Sequence, residues 1–294
     1  MRHHITYNDK HRSVPATAFD FMEVLTMSEK LYGFIGTGNM GGALATAAAR
    51  AIPGDRILLS NRTPAKAEAL AEKLGAQVTD NVGAATRADY LFLGVKPQMM
   101  AGMLAGIRDA LAAREKPVIL VSMAAGLNIA AIRRLAGADY PVIRVMPNTP
   151  AAIGQGVVLC CAEGVDDAAL SEFTGVMQGA GLLDFVDEHL MDAGSTVAGC
   201  GPAFAAMFIE ALADGGVACG LPRTKAMTYA AQMLVGTGML YLQTQNHPGA
   251  MKDAVCSPGG STIQGVRALE NGGFRAAAFE AVVAAYEKTV EMGK

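Results

Sequence analysis

The stretch Leu31-Tyr32-Gly33-Phe34-Ile35-Gly36-Thr37-Gly38-Asn39-Met40-Gly41 decides the fold of this chain. An apolar run ends in Gly-x-Gly-x-x-Gly and an alanine-rich segment follows, which is the strand, turn and helix order of a dinucleotide-binding unit. Gly36 permits the tight turn, Gly38 lets a pyrophosphate approach the backbone, and Gly41 brings helix and strand close. We therefore expect a dinucleotide to contact Ile35, Gly36, Thr37, Gly38, Asn39 and Met40, although such a turn also occurs without a ligand.

Short apolar runs alternate with helical stretches from residue 31 to about residue 186, which predicts repeated βα units and a parallel sheet. Short connections and right-handed crossovers favour a doubly wound arrangement. The predicted fold class is α/β, with an N-terminal Rossmann-type doubly wound parallel sheet and a C-terminal all-helical domain. The candidate strands are residues 31–35, 56–60, 90–93, 118–122 and 141–145, with short additions to one edge near 156–160 and 182–186.

The sequence after residue 188 indicates helices only. Residues 202–218 carry just two charges, Glu210 and Asp214, four positions apart and so on one face, while the rest of the circumference is apolar. One small domain cannot easily cover such a helix, so we expect an obligate interface with another subunit. Gly220 and Pro222 indicate a tight turn between two helices.

Composition excludes several classes of protein. The 294 residues carry a net charge of −3 without a basic stripe, so we expect no nucleic acid partner. Glycine and polar residues interrupt every apolar stretch, so we expect no membrane span. The five cysteines form no Cys-x-x-Cys pair and no histidine lies at metal-ligand spacing, which favours buried thiols in a cytoplasmic protein and no metal site.

The end of the second strand, Ser60-Asn61-Arg62-Thr63, indicates which dinucleotide binds. An Asp or Glu there would accept from the ribose hydroxyls of NADH but repel a 2′-phosphate, whereas Arg62 can bind that phosphate. We therefore predict NADPH over NADH, with Asn61 and Arg62 in the site. NADH remains an alternative cofactor, and a solvated Arg62 is an alternative interpretation.

Two further loops end strands at the carboxyl edge of the sheet, where ligands bind in such folds. One is Val95-Lys96-Pro97, in which proline fixes the turn and Lys96 faces either the cofactor or water. The other is residues 146–150, a rigid Met-Pro-Asn-Thr-Pro loop that either lines the nicotinamide side or is a turn at the domain edge.

A second glycine turn, residues 256–262, leads into an amphipathic segment. Paired glycines let backbone N–H groups converge on an anion at the positive end of a helix, and Ser257, Ser261 and Thr262 add hydroxyls. We expect a substrate carboxylate to bind here. The alternative is an ordinary loop in which Ser261 and Thr262 serve as a helix N-cap.

Residues 1–26 contain His3, His4 and His11 with mixed charges and no apolar core, so a secretory signal does not fit. Met27 resembles a natural start, and we expect deletion of residues 1–26 to leave activity intact. The chain is thus divided into an extension, residues 1–27, expected to be poorly ordered; an NADP-binding Rossmann domain, residues 28–187; and a helical dimerisation and substrate domain, residues 188–294.

Together these stretches resemble the pyrroline-5-carboxylate reductase family over nearly all the chain after Met27. The resemblance implies reduction of 1-pyrroline-5-carboxylate to L-proline with NAD(P)H, the last step of proline biosynthesis. It also implies a helical domain that interlocks as a dimer, with dimers often assembling into decamers. The motifs that carry it are residues 33–40, 95–97, 146–150, 201–204 and, most specifically, 252–270.

The resemblance implies roles for individual residues. Thr262 would bond the ring nitrogen, while the turn around Gly259, Gly260 and Ser261 would hold the substrate carboxylate. Asn81 would contact the cofactor ribose, and Lys96 and Pro97 would lie along the nicotinamide. Cys200 departs from the family's usual Ser, and Ala254 and Cys256 stand where polar residues are common, which affects affinity but removes no group that the reaction needs.

The residues also favour an imine over a ketone as substrate. Reducing a ketone needs a proton donor, but outside the extension only two histidines remain, His189 and His247, and no lysine occurs between Glu188 and Thr224. A cyclic imine can enter already protonated and accept hydride without a further acid. Catalysis would then depend on positioning, and we place His247, next to Pro248, in a helix-connecting loop.

Two alternatives remain at this point. Another imine reductase or a β-hydroxyacid dehydrogenase would share the Rossmann half, although the missing lysine disfavours the second. A non-enzymatic NADP-binding sensor would bind the cofactor without oxidising it, but it would not need residues 257–262.

Overall fold

The computed structural model describes residues 29–292, so the expectations for the N-terminal extension concern residues outside the described part. Eight strands form one sheet. They are β1 (Tyr32–Ile35), β2 (Ile57–Ser60), β3 (Gln77–Val78), β4 (Tyr90–Leu93), β5 (Ile119–Ser122), β6 (Val142–Pro147), β7 (Gly156–Glu163) and β8 (Gly181–Phe185). Their order in the sheet is β3-β2-β1-β4-β5-β6-β7-β8, which confirms the Rossmann-type, doubly wound arrangement.

The sheet differs from the prediction in two details. β3 is only two residues long and was not predicted. β7 runs antiparallel to β6, while every other neighbouring pair is parallel. The connection from β6 to β7 has eight residues, 148–155, which is too short for the crossover that a parallel pair requires. The two predicted edge strands, β7 and β8, therefore extend the sheet, but both run opposite to the strands from β1 to β6.

Helices cover both faces of the sheet. Successive residues of a strand point to opposite faces, so Phe34 and Phe92 stack on one side, with ring centroids 4.2 Å apart, while Leu91 and Leu93 enter the core on the other. Both faces are buried, which explains the continuous apolar runs. The covering helices are α1 (Asn39–Ala48), α2 (Pro64–Leu74), α3 (Asn81–Arg87), α4 (Pro97–Ala112), α5 (Ile129–Ala136) and α6 (Asp167–Met177).

The remaining chain is helical, as predicted. A π-helical segment, Thr196–Cys200, joins the first two of its helices. The turn predicted at Gly220 and Pro222 is present: Gly220 has φ 95°, and Pro222 directly precedes the next helix. The helices are α7 (Met191–Ser195), α8 (Gly201–Ala218), α9 (Arg223–Thr244), α10 (Pro248–Ala254), α11 (Ser261–Asn271) and α12 (Phe274–Met292).

This helical half leaves much of its apolar surface uncovered in the single chain. Met207 on α8 is 69% exposed and Phe279 on α12 is 68% exposed. Such surface is characteristic of an interface between subunits. Full burial in the described residues after Glu188 is confined to Met191, Ser195, Thr196, Ala213, Ala226 and Ala230.

Candidate active site

The first glycine loop lies at the carboxyl end of β1, and its three glycines meet different constraints. Gly36 has φ 95°, and a Cβ there would lie 2.5 Å from the carbonyl oxygen of Gly94. A Cβ on Gly41 would lie 2.0 Å from the carbonyl oxygen of Gly36, so only glycine allows α1 to start this close to the turn. Gly38, by contrast, faces open space, which is the room that a pyrophosphate needs.

The groups around this loop fit a dinucleotide. The Thr37 hydroxyl is buried and has no hydrogen-bond partner among the described residues. The N–H groups of Asn39 and Met40, in the first turn of α1, also have no partner in residues 29–292. The unpaired Thr37 hydroxyl is costly because it is buried, and the N–H groups at the positive end of α1 favour a bound anion.

A hydrogen-bond network joins the loop to the ends of β2 and β3. The Asn61 side chain accepts from the N–H of Thr37 at 3.1 Å and donates to the carbonyl oxygen of Thr63. The Ser60 hydroxyl donates to Asn81 Oδ1 at 2.6 Å, which leaves the NH₂ group of Asn81 directed elsewhere. Asn81 begins α3 beside this strand end, so the structure brings Asn61 and Asn81 to the same edge as the glycine loop.

Two cations of the predicted cofactor site are exposed. Arg62 follows Asn61 and makes no hydrogen bond or ion pair within the described part of the chain, so its guanidinium is available to a phosphate. Lys96 follows Val95 at the end of β4, directly before Pro97 opens α4. Val95 lies next to Gly36, because a Cβ built on Gly36 would be 3.3 Å from the backbone nitrogen of Val95.

The second glycine turn opens α11 in the helical half. The N–H of Gly260 donates to the carbonyl oxygen of Ser257 at 3.0 Å, and Gly259 has φ 71° with open space around it. Gly260 is the N-cap residue and no side chain caps the helix, so the alternative of a Ser261 or Thr262 cap does not hold. Both hydroxyls lie in the first turn of α11, exposed and without a partner in residues 29–292.

The single chain does not join the two glycine turns by any hydrogen bond or ion pair among its described residues. The backbone bonds of the second turn are local, from Cys256 to Asp253 and from Gly260 to Ser257. Lys252, shortly before the turn, forms an ion pair with Asp253, and the hydrogen bond between them raises the pKa of Lys252. The predicted nucleotide residues and the predicted substrate residues thus share no hydrogen bond or ion pair within residues 29–292.

The structure leaves the histidines and buried thiols outside this chemistry. His247 Nδ1 accepts from the N–H of Gly249 and caps α10, which confirms its place in a helix-connecting loop. Cys160 and Cys161 are buried in β7, and burial raises the pKa of Cys161 to about 11. Both thiols therefore stay protonated at neutral pH and are poor nucleophiles.

A polar joint between the two halves was missed by the sequence analysis. Arg144, in the middle of β6 and 3% exposed, donates to Asp192 at 2.9 Å and lies 3.7 Å from Glu188. Asn148, the first residue after β6, bonds both Val157 and Ala198. A charged residue inside an apolar strand was the available signal, because such a residue needs a partner from another element.

Two family models match different parts of the chain. A model described as "Pyrroline-5-carboxylate reductase dimerisation" matches residues 188–292. One described as "NADP oxidoreductase coenzyme F420-dependent" matches residues 31–126. The pyrroline-5-carboxylate reductase of Escherichia coli (strain K12) is 37% identical over 271 residues, which cover 90% of this chain and 99% of that protein. The chain belongs to the pyrroline-5-carboxylate reductase family.

Solved structures with similar folds include two enzymes of this family. The Plasmodium falciparum enzyme, with NADP bound, superposes with a TM-score of 0.81 at 29% identity and covers 91% of this chain and 100% of its own. The Coxiella burnetii enzyme gives a TM-score of 0.83 at 29% identity with the same coverage. The Rossmann sheet and the helical half of this member of the family are thus arranged as in its relatives.

The family also explains the uncovered apolar surface. The segment Glu188–Ala218 contains an 18-residue stretch with a mean hydropathy of 1.5 and is long and apolar enough to cross a membrane by length and composition alone. It lies inside the region matched by the dimerisation model. We therefore assign its exposed faces to contacts between subunits, and this member of the family is a homo-oligomer.

Proposed function

We propose that this chain reduces 1-pyrroline-5-carboxylate to L-proline with NADPH, with NADH as a weaker alternative. The observation that carries the proposal is the second glycine turn. In a member of this family, the exposed hydroxyls of Ser261 and Thr262 have no partner among the described residues and lie in the first turn of α11. They offer a site for a small carboxylate.

The residues of the chain would then bind and orient the substrate. The turn around Gly259, Gly260 and Ser261 holds the carboxylate at the positive end of α11 through the N–H groups of Gly259 and Ser261 and the Ser257 hydroxyl, because the Gly260 N–H already donates to the Ser257 carbonyl oxygen. Thr262 bonds the ring nitrogen and is the only catalytic residue we assign. When bound, the cofactor would supply the hydride that the imine carbon accepts, and a substrate that enters protonated needs no acid from the protein. Catalysis rests on positioning.

The cofactor would be held at the other glycine turn. Residues 35–40 bind the pyrophosphate, and the unpartnered Thr37 hydroxyl supports this assignment. Arg62 binds the 2′-phosphate, while Asn61 and Asn81 hold the adenosine ribose side. Val95, Lys96 and Pro97 lie along the nicotinamide. This division supports a Rossmann domain of residues 28–187 and a helical dimerisation and substrate domain of residues 188–294.

Because the two turns form no bond within the described chain, we propose that a site combines the nucleotide half of one subunit with the second turn of another. Dimers would be the minimal unit, and the assembly of five such dimers into a decamer is a further proposal. We place the protein in the cytoplasm, without a nucleic acid or membrane partner and without a metal. The net charge of −3 and the absence of a basic stripe support the absence of a nucleic acid partner, and the dimerisation region supports contacts between subunits, rather than with a membrane, for the apolar helices.

The test follows NADPH absorbance with three substrates: pyrroline-5-carboxylate, its six-membered homologue and a 2-keto acid of similar size. We expect the highest kcat/KM for the five-membered imine and no turnover of the ketone. NADPH binding without oxidation would indicate a sensor. Preference for the six-membered ring would indicate another imine reductase, and turnover of the ketone would indicate a hydroxyacid dehydrogenase.

A further inference from the structure

We propose that Asn148 is a positioning residue for hydride transfer, an inference that rests on the proposed function. Asn148 directly follows β6 at the carboxyl edge of the sheet, the edge that carries the cofactor residues. Its side chain is 7% exposed and joins three elements. It is neither a cofactor ligand nor a substrate ligand in our assignment.

Both ends of the Asn148 amide are used. Its Oδ1 accepts from the N–H of Val157 at 2.9 Å, and its Nδ2 donates to the carbonyl oxygen of Ala198 at 2.9 Å. The two partners fix the orientation of the amide, because Val157 offers only a donor and Ala198 only an acceptor. One side chain thus connects the end of β6, the start of β7 and the π-helical segment.

The joint around Asn148 is directional. Arg144 lies four residues earlier on the same face of β6 and binds Asp192, while the Thr196 hydroxyl bonds the carbonyl oxygen of Asp192. The π-helical segment leads directly from α7 into the 18-residue helix α8. Polar bonds of this kind hold one relative orientation, whereas apolar contacts tolerate sliding.

This geometry matters because the proposed chemistry has no acid or metal to compensate for misplacement. Hydride transfer requires the donor and acceptor carbons about 3–3.5 Å apart, and a displacement of about 1 Å costs on the order of a hundred-fold in rate. The bond from Asn148 to Ala198 ties the residue 146–150 loop to the π-helical segment. Loss of its Ala198 bond would therefore lower kcat more than it weakens NADPH binding.

The test compares the wild type with Asn148→Asp, Asn148→Ala and Asn128→Asp, with rates expressed per NADPH-binding site. At about pH 8 the carboxylate introduced by Asn148→Asp faces the Ala198 carbonyl oxygen and cannot donate. We expect kcat to fall about ten- to a hundred-fold, the KM for NADPH to change little, and the isotope effect with C4-deuterated NADPH to rise. As the pH falls towards about 5.5, the protonated carboxyl donates again and kcat recovers relative to the wild type.

Two variants make the result specific. Asn148→Ala can form neither bond, so its kcat should stay low at every pH. Asn128 caps α5 by accepting from the N–H of Ala131 at 2.8 Å, and Asp caps equally well, so Asn128→Asp should behave as the wild type. An active wild type whose kcat and isotope effect are unchanged in both Asn148 variants would overturn this inference alone. A wild type that does not oxidise NADPH would contradict the proposed function and this inference with it.

Discussion

At the scale of single residues, Arg62 carries the proposed choice between the two nicotinamide cofactors. It is exposed and makes no hydrogen bond or ion pair among the described residues, so removing it should leave the fold intact. Arg62→Ala should lower the ratio of kcat/KM for NADPH over NADH about ten- to a hundred-fold, because charge-assisted bonds contribute about 1.5–3 kcal/mol.

Steady-state kinetics with both cofactors would measure this ratio. Arg134→Ala is the matched control, since Arg134 is also exposed and without a partner in residues 29–292 but lies on α5, away from the glycine loop. A ratio that is the same in Arg62→Ala and the wild type would show that another group reads the 2′-phosphate.

Thr262 is the single side chain proposed to touch the reacting nitrogen. Thr262→Ala should lower kcat/KM for pyrroline-5-carboxylate at least about ten-fold, or about 1.4 kcal/mol, with NADPH binding little changed. Thr262→Ser keeps the hydroxyl and should retain most of the activity. Thr86→Ala serves as the control, because the Thr86 hydroxyl bonds only the Val82 carbonyl oxygen of its own helix. Wild-type turnover in Thr262→Ala would remove Thr262 from the mechanism.

At the scale of elements, the first glycine loop contains glycines with two different tasks. Gly41 allows α1 to pack closely against the turn after β1, whereas Gly38 is proposed to leave room for the pyrophosphate. Gly41→Ala should prevent α1 from closing on the turn and lower the melting temperature sharply, because the new Cβ would overlap the Gly36 carbonyl oxygen. Gly38→Ala should fold normally but lose NADPH affinity, since the methyl group enters the space left for the pyrophosphate.

Gly42→Ala is the control for both substitutions. Gly42 lies in α1 next to Gly41, and a Cβ built on it would make an ordinary van der Waals contact, 3.6 Å from the Thr37 carbonyl oxygen. We expect its melting temperature and NADPH affinity to match the wild type, as followed by thermal unfolding and a fluorescence titration. Unchanged NADPH binding in Gly38→Ala would place the pyrophosphate elsewhere.

Elements differ in how well the sequence predicts them, for physical reasons. β1, β2 and β4 are buried on both faces, so their uninterrupted apolar runs predict them to within one residue. β3 has two residues, too few for a pattern, and the direction of β7 depends on its short connection rather than on its own residues. The bond from Asn148 to Ala198 joins positions 50 residues apart in the chain, which no local pattern encodes.

The candidate site was predictable where its residues are contiguous in the sequence. The context of the first glycine loop predicts its position, because strand, turn and helix are contiguous. The second turn is predicted as the start of a helix, and Ser261 and Thr262 indeed open α11. Its relation to the cofactor residues could not be predicted from contiguous residues, because the two groups belong to different halves of the chain.

At the scale of the whole molecule, the uncovered helical half predicts that assembly and activity are lost together. Phe279→Glu places a charge on the exposed apolar surface of α12, where burial against another subunit would leave it unpaired. We expect smaller particles by light scattering and loss of turnover, while NADPH still binds to the Rossmann half. Val78→Glu, on the exposed edge strand β3, should change neither. An assembled and active Phe279→Glu protein would show that α12 faces solvent.

The most direct test of the account mixes two impaired variants, Gly38→Ala and Thr262→Ala, and measures the oxidation of NADPH by pyrroline-5-carboxylate after subunit exchange. If each site combines the nucleotide loop of one subunit with the second glycine turn of another, every mixed dimer regains one intact site. The account predicts recovery to about a quarter of the wild-type rate at equal mixing. A mixture no more active than its two components, despite demonstrated exchange, would mean that both turns of a site belong to the same chain.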